Sequence, residues 1–351
     1  LSLRRQRQMC IRDRINDQTA NNGMPEGFPR PTGALVNKSV YKILIIPVSF
    51  SDLPFTQNSL TDLKKRFDFT SSAFKLFSYG ASRLSYVIPD KKDWLSIPEG
   101  VQDFYNKIGS GSDPRTQAGN NEDLMNQYFL NMVDANVSLK GYDTIWITSS
   151  QSDKFSSGAE EPWRSYTTKD GAIDHVFSVL GGQSFGGEFH GLGHMLFYFD
   201  DEYQDPNWID SWASRGSPLV GFDAYGRGND LIGWNRWLNG WLSDSTVACL
   251  DPDNSDGTFR LTYLNSSDSG MKMLLIPVGP STVIAADYQA DYAHGNAGLL
   301  LYKVDLTIPQ WQIRFRGENK VLRVSQSSAL DGYVFKVLAT DKTGIYVSLK
   351  R

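Results

Sequence analysis

Phe189-His190-Gly191-Leu192-Gly193-His194 places two of the chain's four histidines four residues apart. On a helix, residues i and i+4 share one face, so both imidazoles can reach a single ion. Six residues after His194 stands Asp200, followed by Asp201 and Glu202. A carboxylate there completes a three-ligand zinc site with one open position, and imidazole and carboxylate both suit that metal. The competing reading is a pair of surface or capping histidines beside a solvated acidic turn. Spacing alone does not separate the two.

Outward from this stretch, the chain alternates strand and helix signals. Tyr41 to Phe50 is dense in β-branched residues and reads as a buried strand. Ser59 to Phe77 has helical spacing, with Leu60, Leu63, Phe67 and Phe74 inward and Thr61 or Ser59 as cap. A second helix is predicted over about Asn121 to Asn136, through Leu124, Met125, Tyr128, Phe129 and Met132, and a central strand at Asp143 to Thr148. This alternation predicts an α/β layer sandwich. Five of the nine tryptophans (Trp208, Trp212, Trp234, Trp237, Trp241) crowd one short stretch, as core or as a cleft wall, with core the simpler reading. Beyond Gly257, short alternating segments at 259–263, 273–278, 282–288, 299–304, 321–324, 333–338 and 345–349 predict a β-rich C-terminal part.

Composition narrows the functional class. Of 351 residues, 40% are hydrophobic and 21% charged, an ordinary globular balance. The net charge of −4 gives no footprint for nucleic acid, and no apolar run approaches the roughly 18 residues of a membrane span. Two cysteines cannot form a disulfide scaffold, and Cys249 reads as a small buried hydrophobe. Residues 1–14 carry five arginines and one acid, and Met9 to Arg14 is what a sequencing adapter would encode; we read them as a cloning scar. On that reading no export signal is expected to be visible. Residues 15–40, polar with Asn, Gly and Pro, read as a linker or propeptide remnant.

Zincin peptidases use His-Glu-x-x-His, with the Glu as general base, often followed by a further ligand. His190, His194 and Asp200 match the ligand positions of that pattern. Ile45-Ile-Pro-Val-Ser-Phe-Ser-Asp52, Trp234-Asn-Arg-Trp-Leu-Asn-Gly-Trp-Leu242 and Gly298-Leu-Leu-Leu-Tyr-Lys-Val-Asp305 resemble, in order, segments of the immune inhibitor A family of secreted bacterial metallopeptidases. The resemblance spans about residues 41–350. It implies an α/β (α+β) zincin-like domain over 41–250, with a central mixed sheet and a metal-binding helix, then a β-rich part over 251–351. It further implies zinc on His190, His194 and Asp200, a peptide or protein substrate, and hydrolysis of extracellular proteins. Asp201-Glu202-Tyr203 resembles instead the acidic stretch of the IgA-peptidase metallopeptidases, which makes Asp201 the alternative third ligand.

Two departures bear on activity. Gly191 occupies the position of the catalytic Glu and can neither take a proton from water nor pass it on. Glu188 is no substitute: two residues before His190, it points about 200° away on a helix. The chain is thus expected to be an endopeptidase-like zinc protein of impaired turnover, or else a non-catalytic peptide- or surface-binding module. Phe197 stands where the family has a turn glycine; if the helix continues through it, Asp201 gains as ligand.

The remaining candidates read as structural. His175 precedes the metal helix, His294 reads as a loop residue, and Tyr203 follows the acidic turn, where core packing is favoured over lining a cleft. Asp251-Pro-Asp-Asn-Ser-Asp-Gly257 offers oxygen ligands for calcium, but its spacing misses the EF-hand and a plain turn is favoured. The glycine-rich stretch Gly181 to Gly187 has neither the Lys-Ser/Thr of a phosphate-binding loop nor dinucleotide spacing.

Overall fold

The computed structural model describes residues 24–108, 118–152, 154, 157–160, 164–181, 187–199, 231–291, 296–308, 312–315 and 321–351. They form two compact units, one of Gly33–Lys75 and Ser82–Phe197, the other of Leu1–Thr32, Leu76–Ala81 and Tyr198–Arg351.

The first unit is built on β1 (Val40–Phe50). This strand pairs in parallel with β2 (Arg83–Val87) and β3 (Leu95–Ile97) on one side and β4 (Thr144–Gln151) on the other. A hairpin of β6 (Ser165–Thr168) and β7 (Gly171–Asp174) lies apart from the main sheet. β8 (Val176–Gly181) runs parallel to β4, and β5 (Ser157–Glu160) closes the edge antiparallel to β8, giving the order β2-β1-β4-β8-β5. The sheet is mixed, as expected.

Both faces of this sheet are buried, which is why β1 reads as an unbroken apolar run rather than an alternation. On one face, Leu44, Ile46, Val48, Ile145 and Ile147 pack with Val101 and Phe104 of α2 (Val101–Ile108) and with Met125, Phe129 and Val133 of α3 (Ala118–Asp134). On the other, Tyr41 and Trp146 meet rings of α1 (Gln57–Phe77) and α4 (Gly187–Phe197). Tyr41 lies 5.6 Å from Phe74 and 5.4 Å from Phe197, Trp146 lies 5.5 Å from Phe67, and Phe74 lies 5.1 Å from Phe189, all between ring centroids. The α/β layering expected from the sequence is present.

Details differ from the sequence reading. The cap of α1 is neither Ser59 nor Thr61. Thr56 Oγ1 accepts from the Ser59 N–H and Ser59 Oγ from the Thr56 N–H, each at 3.2 Å, a reciprocal cap that starts the helix at Gln57. Thr61 instead donates to the Gln57 carbonyl from within the helix. In α3, Met125 and Phe129 are buried, but Leu124 and Tyr128 are exposed, so the inward stripe is narrower than the apolar pattern suggested.

The second unit contains a short helix, α5 (Gly233–Leu238), and two packed sheets. One orders β14 (Ile313–Phe315), β13 (Asn296–Asp305), β12 (Thr282–Asp291), β11 (Met273–Gly279) and β9 (Val247–Cys249). The other orders β10 (Gly257–Thr262), β17 (Gly344–Lys350), β16 (Tyr333–Thr340) and β15 (Ser327–Leu330). Leu274, Ile276, Ile284 and Leu301 from the first meet Phe335, Val337, Ile345 and Val347 from the second, forming a β sandwich. Residues 321–324 form no strand; Leu322 makes a single bridge with Leu299. Cys249 is half-buried rather than fully so.

Trp234, Trp237 and Trp241 are core residues, while Trp208 and Trp212 lie outside the described residues. Trp234 donates its indole N–H to the Glu26 carbonyl at 2.8 Å, and Phe28 packs on Trp237 at 4.8 Å. Arg236, fully buried, donates to the carbonyls of Leu231 and Leu264 and to Asn265 Oδ1, with its guanidinium over the Phe77 ring. Among the described residues, no helix is long and apolar enough to cross a membrane.

Asp287 joins α5 to the sheet. Its Oδ2 accepts the Gly233 N–H at 2.8 Å and the Tyr302 hydroxyl at 2.9 Å, in a fully buried setting. Burial pushes its carboxyl up to about 6, against the opposing pull of those two hydrogen bonds. Because the folded carboxyl binds its proton more tightly than the unfolded one at 3.8, this stability is full below the unfolded value and is lost as pH rises through about 6. The loss amounts to about 3 kcal/mol. Asp287→Asn keeps the carbonyl acceptor and has no proton to lose. In urea unfolding between pH 4 and 8, it should gain stability over wild type as pH rises and match it near pH 4. A gap that stays constant with pH would contradict this.

Candidate metal centre

The α4 helix carries Gly187, Gly191 and Gly193 among its eleven residues. Each glycine lowers helix propensity by roughly 1 kcal/mol relative to Ala, so tertiary packing must hold this helix. Phe189, Leu192, Met195, Leu196 and Phe197 are all buried, and the helix lies against β5 and β8. His194 is buried and His190 half-buried.

The two imidazoles converge as the i, i+4 spacing requires. Their Nε2 atoms are 3.0 Å apart, with ring planes at 85° and centroids 4.5 Å apart. Two nitrogens on one tetrahedral zinc, each at about 2.0–2.1 Å, stand about 3.3 Å from each other. The pair therefore needs only a few tenths of an ångström of opening to share an ion. Asp200 and Asp201, the candidate third ligands, lie outside the described residues, as do Tyr203 and His294. Among the described residues, no three His, Cys, Asp or Glu side chains converge on one point. Donor type and spacing at His190 and His194 fit zinc.

Gly191 faces the sheet at close range. A Cβ there would lie 2.9 Å from Trp146 Cη2 and 3.0 Å from Phe177 Cζ, and both rings are fully buried. The volume beside the helix at this position is filled by aromatic rings from β4 and β8. A glutamate at 191 would have to displace them.

Glu188, in the first turn of α4, is fully buried and pairs with Arg66 of α1, Oε1 to Nη1 at 2.5 Å. It points away from the histidine face, as its helical offset required. Burial raises its carboxyl above the usual range while Arg66 pulls it down. The sequence reading passed over Arg66, yet it carried a signal: a charged residue beside Leu63 and Phe67 on an inward stripe demands a partner.

Phe197 remains within α4 and packs on Tyr41 and Phe74. The left-handed residue is its neighbour Tyr198, at φ 55°. The helical run thus ends at Phe197, ahead of Asp200 and Asp201. His175 is buried at the β7–β8 junction, with φ 59°. Its carbonyl accepts from the Ile145 N–H at 3.2 Å, a structural role. The carboxylates of the 251–257 turn are also in structural use: Asp251 caps Asp253, Asp253 pairs with Arg351 at 2.7 Å, and Asp256 accepts the Arg351 N–H.

No protein-family model matches the chain, and no curated protein matches it in sequence.

Replacing a mid-helix glycine by alanine ordinarily stabilises by roughly 1 kcal/mol. At Gly191 the added methyl meets two fully buried rings, and overpacking of that kind costs about 1–3 kcal/mol. Gly191→Ala should therefore lower stability in urea unfolding, and the same change should cost less when made in a Trp146→Leu background. An alanine variant more stable than wild type would show that position 191 faces open space.

Proposed function

We propose that the chain is a zinc-binding protein of the zincin type, resembling immune inhibitor A peptidases, that holds extended peptide segments and cleaves them weakly or not at all. The single observation carrying this is the convergence of His190 and His194 Nε2 atoms at 3.0 Å on one helix. Asp200, or Asp201 in its place, would supply the third ligand. Zinc bound there would act as a Lewis acid on a peptide carbonyl and on a water.

The chain's own groups define what it can do beside such a metal. The antiparallel edge strand β5 lies next to the histidine helix, and an edge strand offers its backbone groups to an extended peptide. Proton transfer is the missing function. The general-base position is Gly191, and its surroundings are occupied by Trp146 and Phe177. A general base contributes typically about 10²–10⁴-fold, so turnover falls by that order when it is absent. The close fit of Gly191 favours the binding-module reading over an active peptidase. The resemblance to secreted peptidases supports a location outside the cell.

Purified full chain should contain about one zinc per molecule by elemental analysis, and His190→Ala or His194→Ala should abolish it. An unstructured protein such as casein should bind in a zinc-dependent manner with little cleavage. A wild-type chain that takes up no zinc ends this reading. Efficient zinc-dependent casein cleavage would return the chain to the active peptidases.

A further inference from the structure

Glu188 is the only acidic residue of α4, and the helix has neither lysine nor arginine. Glu188 pairs with Arg66, and both side chains are buried. Buried ion pairs are poor net stabilisers, because desolvation offsets most of their attraction; their best-attested use is to fix a register. The position of Glu188 suits that use. At 100° per residue it lies about 160° from His190 and about 120° from His194, on the back of the helix relative to the imidazoles. Apart from His194, the rest of the helix's buried surface is apolar or glycine.

Rotation is the motion that matters for two ligands on one helix. With side chains reaching about 5–6 Å from the axis, a turn of about 20° displaces a ring nitrogen by about 2 Å. Metal–ligand distances tolerate only about 0.2 Å. A helix with three glycines and an apolar seat needs a pin at its back to keep its front aimed.

Resting on the zinc reading above, we infer that Arg66 and Glu188 are positioning residues of the metal centre: their ion pair sets the rotation of α4 so that His190 and His194 present Nε2 to one ion. Neither residue touches the metal. Both act through the helix.

The test uses the full chain and the double variant Arg66→Met/Glu188→Met, which replaces the pair by apolar side chains of similar length. Affinity is read by zinc competition against a chromophoric chelator, and geometry by the visible spectrum of bound Co²⁺. Circular dichroism and thermal unfolding report the fold. The expected result is a folded variant with zinc affinity lowered about 10–100-fold, the range found for outer-sphere partners, and an altered Co²⁺ band. The charge-swapped pair Arg66→Glu/Glu188→Arg should recover part of the affinity. A folded Met/Met variant with wild-type affinity and spectrum would overturn the inference and leave the zinc reading intact. Should Met/Met not fold, Glu188→Gln, which keeps the shape and removes the charge, is read by the same criteria. A wild-type chain that binds neither zinc nor cobalt overturns both.

Discussion

Contact between α4 and the sheet at Gly191 is the constraint around which the first unit is arranged. With no side chain at that point, the helix settles against Trp146 and Phe177, two fully buried rings from neighbouring strands whose centroids are 4.2 Å apart. Dispersion contacts of this density depend steeply on distance, so the approach of the helix is set within a few tenths of an ångström. That contact sets how closely the histidine helix approaches the sheet. The same glycine weakens the helix locally and, under the proposed function, leaves the general-base position without a proton acceptor.

Much of this arrangement was legible from residue order. The apolar run of β1 and the alternation of strand and helix led to the layered sheet, because burial on both faces leaves a period-free signature. The i, i+4 histidines converged as helical geometry demands. Elsewhere, local pattern misled. Leu124 and Tyr128 continue the helical stripe of α3 yet stand at its exposed border, since a stripe's width is decided by what it packs against. The cap at Thr56 was missed because its partner Ser59 was itself taken for the cap. Tyr198 carries a left-handed backbone at a residue type that gives no warning of it. Arg66 and Glu188 are far apart in the chain, and nothing local in the sequence joins them.

Buried polar groups play a different part in the second unit. Asp287, Tyr302 and the N–H of Gly233 tie α5 to the sheet, while Arg236 is held by carbonyls and an amide oxygen rather than by a carboxylate. Such contacts contribute modestly to net stability, but they fix where the helix sits, because any displacement strands a desolvated group. Gly233 is required at this contact for a reason like that at Gly191: a Cβ there would lie 2.9 Å from Asp287 Oδ2.

The two units also differ in how the chain supplies them. The first draws on Gly33–Lys75 and Ser82–Phe197, nearly one continuous stretch. The second gathers Leu76–Ala81 from inside that stretch, residues ahead of Gly33, and the long C-terminal portion. Glu26 meets Trp234 and Gln312, and Tyr79 donates to the Leu264 carbonyl, so the second core joins segments separated by more than half the protein. During vectorial synthesis, the histidine-bearing unit can mature on the ribosome while its companion waits for distant strands to emerge. Phe28, Phe77 and Tyr79, made early, then stay in water until their partners at 234–264 have emerged, an interval in which a chaperone has the most to protect.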